Sequence, residues 1–498
     1  MFIVEFSNIP FSAIGSIKNY FQIILYEGSN HILVNYLDVT SRGSGNTTAG
    51  IENLNGTTGL QYSRMDTPGR YTNRYVRYVP PSENGTRALY FPHVDSGGNT
   101  WETEIGVINK SEQELNGIFK AYNDNGESVS SNIAVTLPPK GRREITIGNE
   151  FMNPGDIGYI IFESDSESLA GYTKFYQEGV YRAAIPAVKV VNASDIYISH
   201  IDSIAYWWTG ISLVNTTSAA KELTITFNDG RSVAYTLNAN EHKAFTIDSL
   251  FNDQPQPDIK SAVITNASGI IGLEIFGSAG SDNQLDGLLL TDNTASTIYY
   301  PHVASDALWW TGIVAYNPSD SACTITITPY SAQGTPLLVS TLPLAGKGKY
   351  IGLVSNLGLP AQTAWFKIDS TRPLTGFELF STVDGDQLAA YAEKSGAGAK
   401  EGVFAKIEKS GWTGIAFVNI ENAPADVTMT AYNDTGSVIA TQTLNISSYE
   451  KVVGMAPYLF SQDISAATYI GYSSDRNLVG FQINASSDNM MLDALPGM

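Results

Sequence analysis

Apolar side chains alternate with polar or small ones along four stretches of the chain, as strands with one buried face require. They are Leu169-Ala-Gly171-Tyr-Thr-Lys-Phe175, Ile270-Ile-Gly272-Leu-Glu-Ile-Phe276, Leu374-Thr-Gly376-Phe-Glu-Leu-Phe380 and Leu478-Val-Gly480-Phe-Gln-Ile-Asn484. Upstream of each stands an aromatic residue followed by a polar turn: Tyr122-Asn-Asp-Asn-Gly126, Phe227-Asn-Asp-Gly230, Tyr330-Ser-Ala-Gln-Gly334 and Tyr432-Asn-Asp-Thr-Gly436. Asn and Gly tolerate the positive φ of tight turns, so these read as β-hairpins. No long segment of the repeat carries helical periodicity.

The strands belong to a repeating unit. Trp207-Trp208-Thr209-Gly210 leads to Asn215, Trp309-Trp310-Thr311-Gly312 to Asn317, and Gly411-Trp412-Thr413-Gly414 to Asn419, the three Asn residues spaced 102 apart. A worn first copy, Trp101-Glu102-Thr103-Glu104, leads to Asn109. Solenoid turns and propeller blades repeat at roughly 20–50 residues, so a longer period is a domain. Each copy offers about seven or eight short strands in roughly 100 residues, the profile of an Ig-like antiparallel β-sandwich. The expected fold is all-β: a tandem array of four sandwiches at 90–187, 198–290, 299–391 and 402–495, behind a partial N-terminal β-sandwich. A propeller with two blades per repeat is the competing architecture, and it lacks a recurrence at half the period. The joints at 188–197, 291–298 and 392–401 are short, which predicts an extended stalk of limited bending.

Residues 1–66 stand outside the repeat, and the Pro- and Arg-containing stretch 67–89 reads as a linker. The first region predicts a hairpin, Phe21-Gln-Ile-Ile-Leu-Tyr26 and Ile32-Leu-Val-Asn-Tyr-Leu-Asp-Val39, then Ala49-Gly-Ile-Glu-Asn-Leu-Asn-Gly-Thr-Thr-Gly-Leu-Gln-Tyr62. This pattern resembles the C-terminal half of the nidogen-like or choice-of-anchor β-sandwich domains of secreted and surface bacterial proteins. The resemblance implies front strands ahead of residue 1. The unit with His302-Val303, Trp309-Trp310-Thr311-Gly312, Asn317-Pro318 and Gly376-Phe-Glu-Leu-Phe380 resembles tandem β-sandwich repeats of large secreted bacterial proteins. That resemblance implies no assigned activity.

Composition adds three constraints. A formal net charge of −20 disfavours nucleic acid, whose phosphates need Lys and Arg, and anionic membranes alike. No apolar run reaches the length of a membrane span, and Met1-Phe-Ile-Val-Glu-Phe-Ser-Asn8 has neither the basic region nor the cleavage site of a signal peptide. The single cysteine, Cys323, lies in a strand pattern, so an intrachain disulfide framework is excluded. The Gly-, Tyr- and Asn-rich composition points to a secreted or cell-surface protein.

Three sets of residues are candidates for chemistry. His93, His200, His302 and Lys406 occupy one place in the repeat, and Lys174, Glu274, Glu378 and Gln482 are paired with them as the later-strand set. A His–Glu pair could serve as a general base, but catalysis does not survive the swaps among copies, whereas packing does. No Gly-x-Ser-x-Gly elbow accompanies a helix, and the expectation is no enzyme. Calcium is an alternative for the turn carboxylates Asp124, Asp229, Asp384 and Asp386, although Asn-Asp-Gly is also what hairpins need; no other cofactor is expected. Paired tryptophans point to opposite faces of a strand. Trp101, Trp207, Trp208, Trp309, Trp310 and Trp412 are therefore candidate platforms for stacking a sugar, or else cover for a domain junction. The chain thus reads as a non-enzymatic structural or adhesive protein. Its alternative is a carbohydrate-binding array that targets a catalytic module to a polysaccharide. Expected partners are extracellular polysaccharide, a surface protein or further copies of the chain.

Overall fold

A computed structural model describes residues 2–11, 14–25, 32–42, 47–52, 59–65, 68–78, 87–98, 100–189, 193–279, 284–385, 387–392 and 396–498. The chain divides into two compact units, Met1–Glu83 and Asn84–Met498. In the first, four antiparallel strands, Phe2–Phe11, Ile14–Leu25, Ile32–Arg42 and Pro68–Tyr78, pair in that order. The hairpin expected here forms, with Phe21 opposite Tyr36 and Leu25 opposite Ile32; its turn lies outside the described residues. Part of the stretch read as a linker is instead a strand. Residues 68–78 place Tyr71, Tyr75 and Val76 opposite Val39, Asn35 and Val34, and Pro68 sits at the strand's first residue, where no ladder N–H is required.

In the second unit each repeat is built on two antiparallel sheets, confirming the all-β sandwich reading. Repeat 1 has an outer sheet in the order Ile133–Leu137, Leu115–Tyr122, Tyr159–Ser164, Ala88–Phe91. Its inner sheet runs Arg142–Thr146, Glu102–Asn109, Leu169–Gln177, Tyr181–Pro186. The other repeats reuse this order, except that in repeats 3 and 4 one 18-residue strand, Trp365–Thr382 or Tyr469–Ser486, crosses from the outer sheet into the inner. The core lies between the sheets: Phe91, Ile105, Val107, Phe119, Ile160 and Phe162 in repeat 1, and Ile298, Ile313, Ile325, Phe366 and Ile368 in repeat 3. Cys323 is a buried free thiol in the latter core.

The asparagine that ends each signature strand is a hub. Asn109, Asn215, Asn317 and Asn419 are fully buried. Asn419 donates from Nδ2 to the carbonyls of Ala423 at 2.7 Å and Ser447 at 3.0 Å, and its Oδ1 accepts the Glu421 N–H at 3.0 Å. Asn215 does the same with Ala219, Asn238 and Thr217. A side chain with donors and an acceptor two bonds apart thus satisfies two loops that have no ladder partner of their own.

The inner sheet sets the architecture. Seven of the eight residues of Glu102–Asn109 are buried, so both faces of this strand are covered. One face meets the outer sheet of its own repeat. The other meets a neighbouring repeat, because a sheet apolar on both sides needs a cover on each. The innermost strands Tyr181–Pro186, Leu285–Leu289, Leu388–Tyr391 and Leu492–Pro496 touch in cyclic order: first with second, second with third, third with fourth, and fourth with first. The expected extended stalk is therefore wrong for this unit, whose four repeats close into a ring.

Replacing the hub in one repeat leaves loop carbonyls and an amide unpaired. Asn419→Ala is expected to lower stability by about 2–3 kcal/mol, read as a shift of the urea unfolding midpoint. Asn445→Ala, at a surface amide bonded to Asp426, should shift it little.

Candidate functional site

The signature residues converge on the junctions between repeats. The second tryptophan lies flat along its own strand, over the glycine two residues on: a Cβ at Gly210 would stand 3.2 Å from the Trp208 ring, and one at Gly312 3.0 Å from Trp310. The glycine supplies the bed for the indole. The threonine clasps the segment that brings in the histidine, for Thr311 Oγ1 donates to Ala304 O at 2.9 Å and accepts from Ala304 N at 2.8 Å. Thr103 and Thr209 hold Asp95 and Asp202 in the same way.

Each junction pairs one repeat with the next. Between repeats 2 and 3, the His200 ring packs against Phe276 of its own repeat at 5.5 Å and Phe377 of the next at 5.9 Å. Between repeats 3 and 4, His302 sits likewise against Phe380 and Phe481 at 5.5 and 6.1 Å, and those two phenylalanines stack at 5.3 Å. Trp207 with Trp310, and Trp309 with Trp412, pack onto these two aromatic clusters, one indole from each side. Four of the six tryptophans considered as sugar platforms are thus engaged in inter-repeat packing.

A cation from the next repeat enters each site at the start of its outermost inner-sheet strand. Lys349 Nζ lies 3.3 Å from His200 Nδ1, and Lys451 Nζ bonds His302 Nδ1 and, at 2.8 Å, the Ala364 carbonyl. Burial pushes both lysines down to about 7. It also pushes His200 and His302 well below the usual histidine range. Behind them Glu274 is raised by burial to about 8, and Glu378 well above the carboxylate range. Both oxygens of Glu378, and Oε2 of Glu274, are buried without a hydrogen-bond partner, so the His–Glu base pair considered from sequence is not formed. Register corrects one member of that set. Glu274, Glu378 and Gln482 lie opposite Ile211, Ile313 and Ile415, and the residue opposite Ile105 is Thr173, not Lys174.

The junction that closes the ring, from repeat 4 to repeat 1, exchanges rings for charges. Lys406 replaces histidine and bonds Glu104 and Glu144; Asn484 replaces phenylalanine and bonds Asp493 at 2.8 Å. Arg142 reaches Glu144, Asp434 and the Ala405 carbonyl, while Arg182 pairs with Asp493 and Glu408. Burial opposes ionisation of Glu144, yet Arg142 and Lys406 hold it well below the carboxylate range. Main-chain bonds seal the rim: Arg142 N–H donates to Asp434 O at 3.0 Å, as His242 does to Asp124 and Lys451 to Ala332 at 2.9 Å.

The junction of repeats 1 and 2 is different again. Ser212 Oγ is 3.0 Å from His242 Nε2, and His242 Nδ1 is 2.7 Å from Asp124 Oδ1. These are the spacings of a Ser-His-Asp relay, built from three separate strands and turns and therefore invisible as a motif. Two features set it apart from an acyl-transfer centre. Ser212 Oγ also donates to the Pro92 carbonyl at 2.7 Å, and Ser212 lies mid-strand with ladders on both sides, which take up the N–H groups an oxyanion would need.

The remaining candidates fall in separate places. Asp124 is bound to His242, Asp229 pairs with Arg231 at 2.6 Å, Asp384 is exposed on a turn, and Asp386 lies outside the described residues. No group of three metal-ligating side chains is assembled among the described residues.

The buried carboxylates have a measurable consequence. A folded-state value of about 8 against an ordinary 4.5 means that the Glu274 contribution is complete below the ordinary value and is lost as pH rises through about 8. Glu274→Gln removes that loss. The stability of the variant relative to wild type should rise by on the order of 3 kcal/mol between pH 5 and 9 in parallel urea titrations. A pH-independent difference would contradict it.

Comparison with known proteins adds little to this geometry. No family model and no curated protein matches the chain. Among solved structures, the crystal structure of a tetra-tandem repeat in the extending region of a large adhesion protein aligns with 13% identity over 78% of this chain and 92% of that one. The TM-score is 0.11.

Proposed function

We propose that the chain is a non-enzymatic structural and adhesive element of a secreted or cell-surface protein, in which the four-repeat ring acts as a rigid head. The observation that carries this reading is where the reactive residue types are spent. His200, Lys451, Glu274 and Glu378 are buried in inter-repeat joints and His302 and Lys349 are half-buried there, the histidines against aromatic rings and the lysines against histidine rings and backbone carbonyls. The Gly- and Tyr-rich, lightly charged composition supports exposure to solvent outside the cell. The carbohydrate-array reading draws less support, because Trp207, Trp309, Trp310 and Trp412 pack against apolar clusters at the joints.

A rigid head bears load as a unit. Pulled from its two ends in single-molecule force spectroscopy, the ring should first open at the charged seam with a small extension. Repeat unfolding should follow, in steps on the order of 30 nm each. A trace with no opening step would count against the ring as the mechanical element. Labelling of Ser212 by a fluorophosphonate, with turnover of simple esters, would overturn the non-enzymatic reading itself.

A further inference from the structure

The junction of repeats 1 and 2 leaves a cavity of about 310 Å³ where the next two junctions are closed by aromatic clusters. We propose that it is a binding site for a small planar aromatic molecule, of one or two rings, that is uncharged or carries an amine.

Three comparisons within the ring support this. First, the residue that repeat 2 presents to repeat 1 is Leu273, at the place where repeats 3 and 4 present Phe377 and Phe481. A ring that stacks in the other joints is missing here. Second, the indoles that share a cluster elsewhere here line one cavity: Trp101, which stacks on Tyr181 at 5.5 Å, and Trp208, held flat on its glycine bed. Phe175 and Phe245 complete the walls. Third, repeat 2 alone places a hydroxyl, Ser212, where repeats 3 and 4 have Val314 and Ala416. The relay through His242 to Asp124 anchors that hydroxyl in the wall.

These features select the ligand. A dry apolar cavity of about 150 Å³ holds one benzene ring, so the larger space accommodates an indole. Flat indole and phenyl walls favour an aromatic guest through offset or edge-to-face contact. Few polar side chains line it, His93, Asp95, Ser212 and Thr246, among a mostly apolar wall. A sugar, with hydroxyls around its whole rim, would leave most of them unpaired. Asp95 is exposed at the mouth, and its carboxylate favours an amine over an acid.

Calorimetric titration of the full chain with tryptamine, indole and indole-3-acetate tests the assignment. The expected result is one saturable site with tryptamine at least as tight as indole and both tighter than indole-3-acetate. Leu273→Phe introduces the residue of repeats 3 and 4 and should weaken indole binding at least tenfold with an unchanged or raised Tm. Should that variant misfold, Trp208→Leu provides the second test, with the same loss expected. Asp95→Asn should erase the preference for the amine and leave indole binding intact. No saturable binding by wild type, or undiminished binding in a folded Leu273→Phe or Trp208→Leu chain, would overturn the proposal. So would an oligosaccharide that binds at this cavity while the aromatics do not.

Discussion

The ring depends on one constraint: an inner sheet that is apolar on both faces must be covered twice. The outer sheet of the same repeat covers one face, and only another repeat can cover the other. Burial of large apolar side chains, each worth about 1.5–3 kcal/mol, therefore couples folding of a repeat to docking of its neighbours. The Trp-Trp-Thr-Gly signature follows from that coupling. Glycine makes room for an indole to lie on the strand, threonine ties down the segment that carries histidine, and the two indoles approach a junction from opposite sides. Asparagine serves a different end, holding together the loops of its own sandwich.

Closure adds a second constraint. A ring has as many junctions as repeats, and the last must join chain segments about 300 residues apart, at the entropic cost of a long loop. Here that joint is charged. Lys406, Arg142 and Arg182 meet Glu104, Glu144, Glu408 and Asp493, most of them buried. A buried ion network contributes little net stability compared with apolar packing, but it is intolerant of misplacement. It distinguishes the closing joint from the three others, so repeat 4 meets repeat 1 and not a second copy of repeat 2 or 3.

Much of the sandwich was legible in the sequence. Strand periodicity, hairpin turns and a long repeat are local signals, and they placed four β-sandwiches with the signature Asn at a strand end. The same signals could not distinguish a rod from a ring, because the deciding contacts join repeats 4 and 1. A trace of closure was nonetheless present. Glu102 replaces a tryptophan in the first copy, and Gly411, Lys406, Gln482 and Asn484 replace the consensus in the last. Of these, Lys406 bonds repeat 1 across the closing joint, and Gln482 and Asn484 stand beside it. The single-residue slip at Lys174 shows why faces need register: neighbours on a strand point to opposite sides. Lys174 accordingly faces the charged seam with Glu104, while Thr173 has the place of Glu274. The Ser212–His242–Asp124 relay had no sequence signal at all, since its members come from two repeats.

Contact between repeat 4 and repeat 1 closes the ring, and a disulfide trap measures it directly. In a Cys323→Ser background, Arg142→Cys with Asp434→Cys places thiols on two residues joined by a main-chain hydrogen bond of 3.0 Å. Mild oxidation of the dilute protein should convert nearly all of it to an intramolecular disulfide, seen as a faster band on a non-reducing gel. Thiols that stay free, or that cross-link only between molecules as concentration rises, would mean that the repeats do not close into a ring.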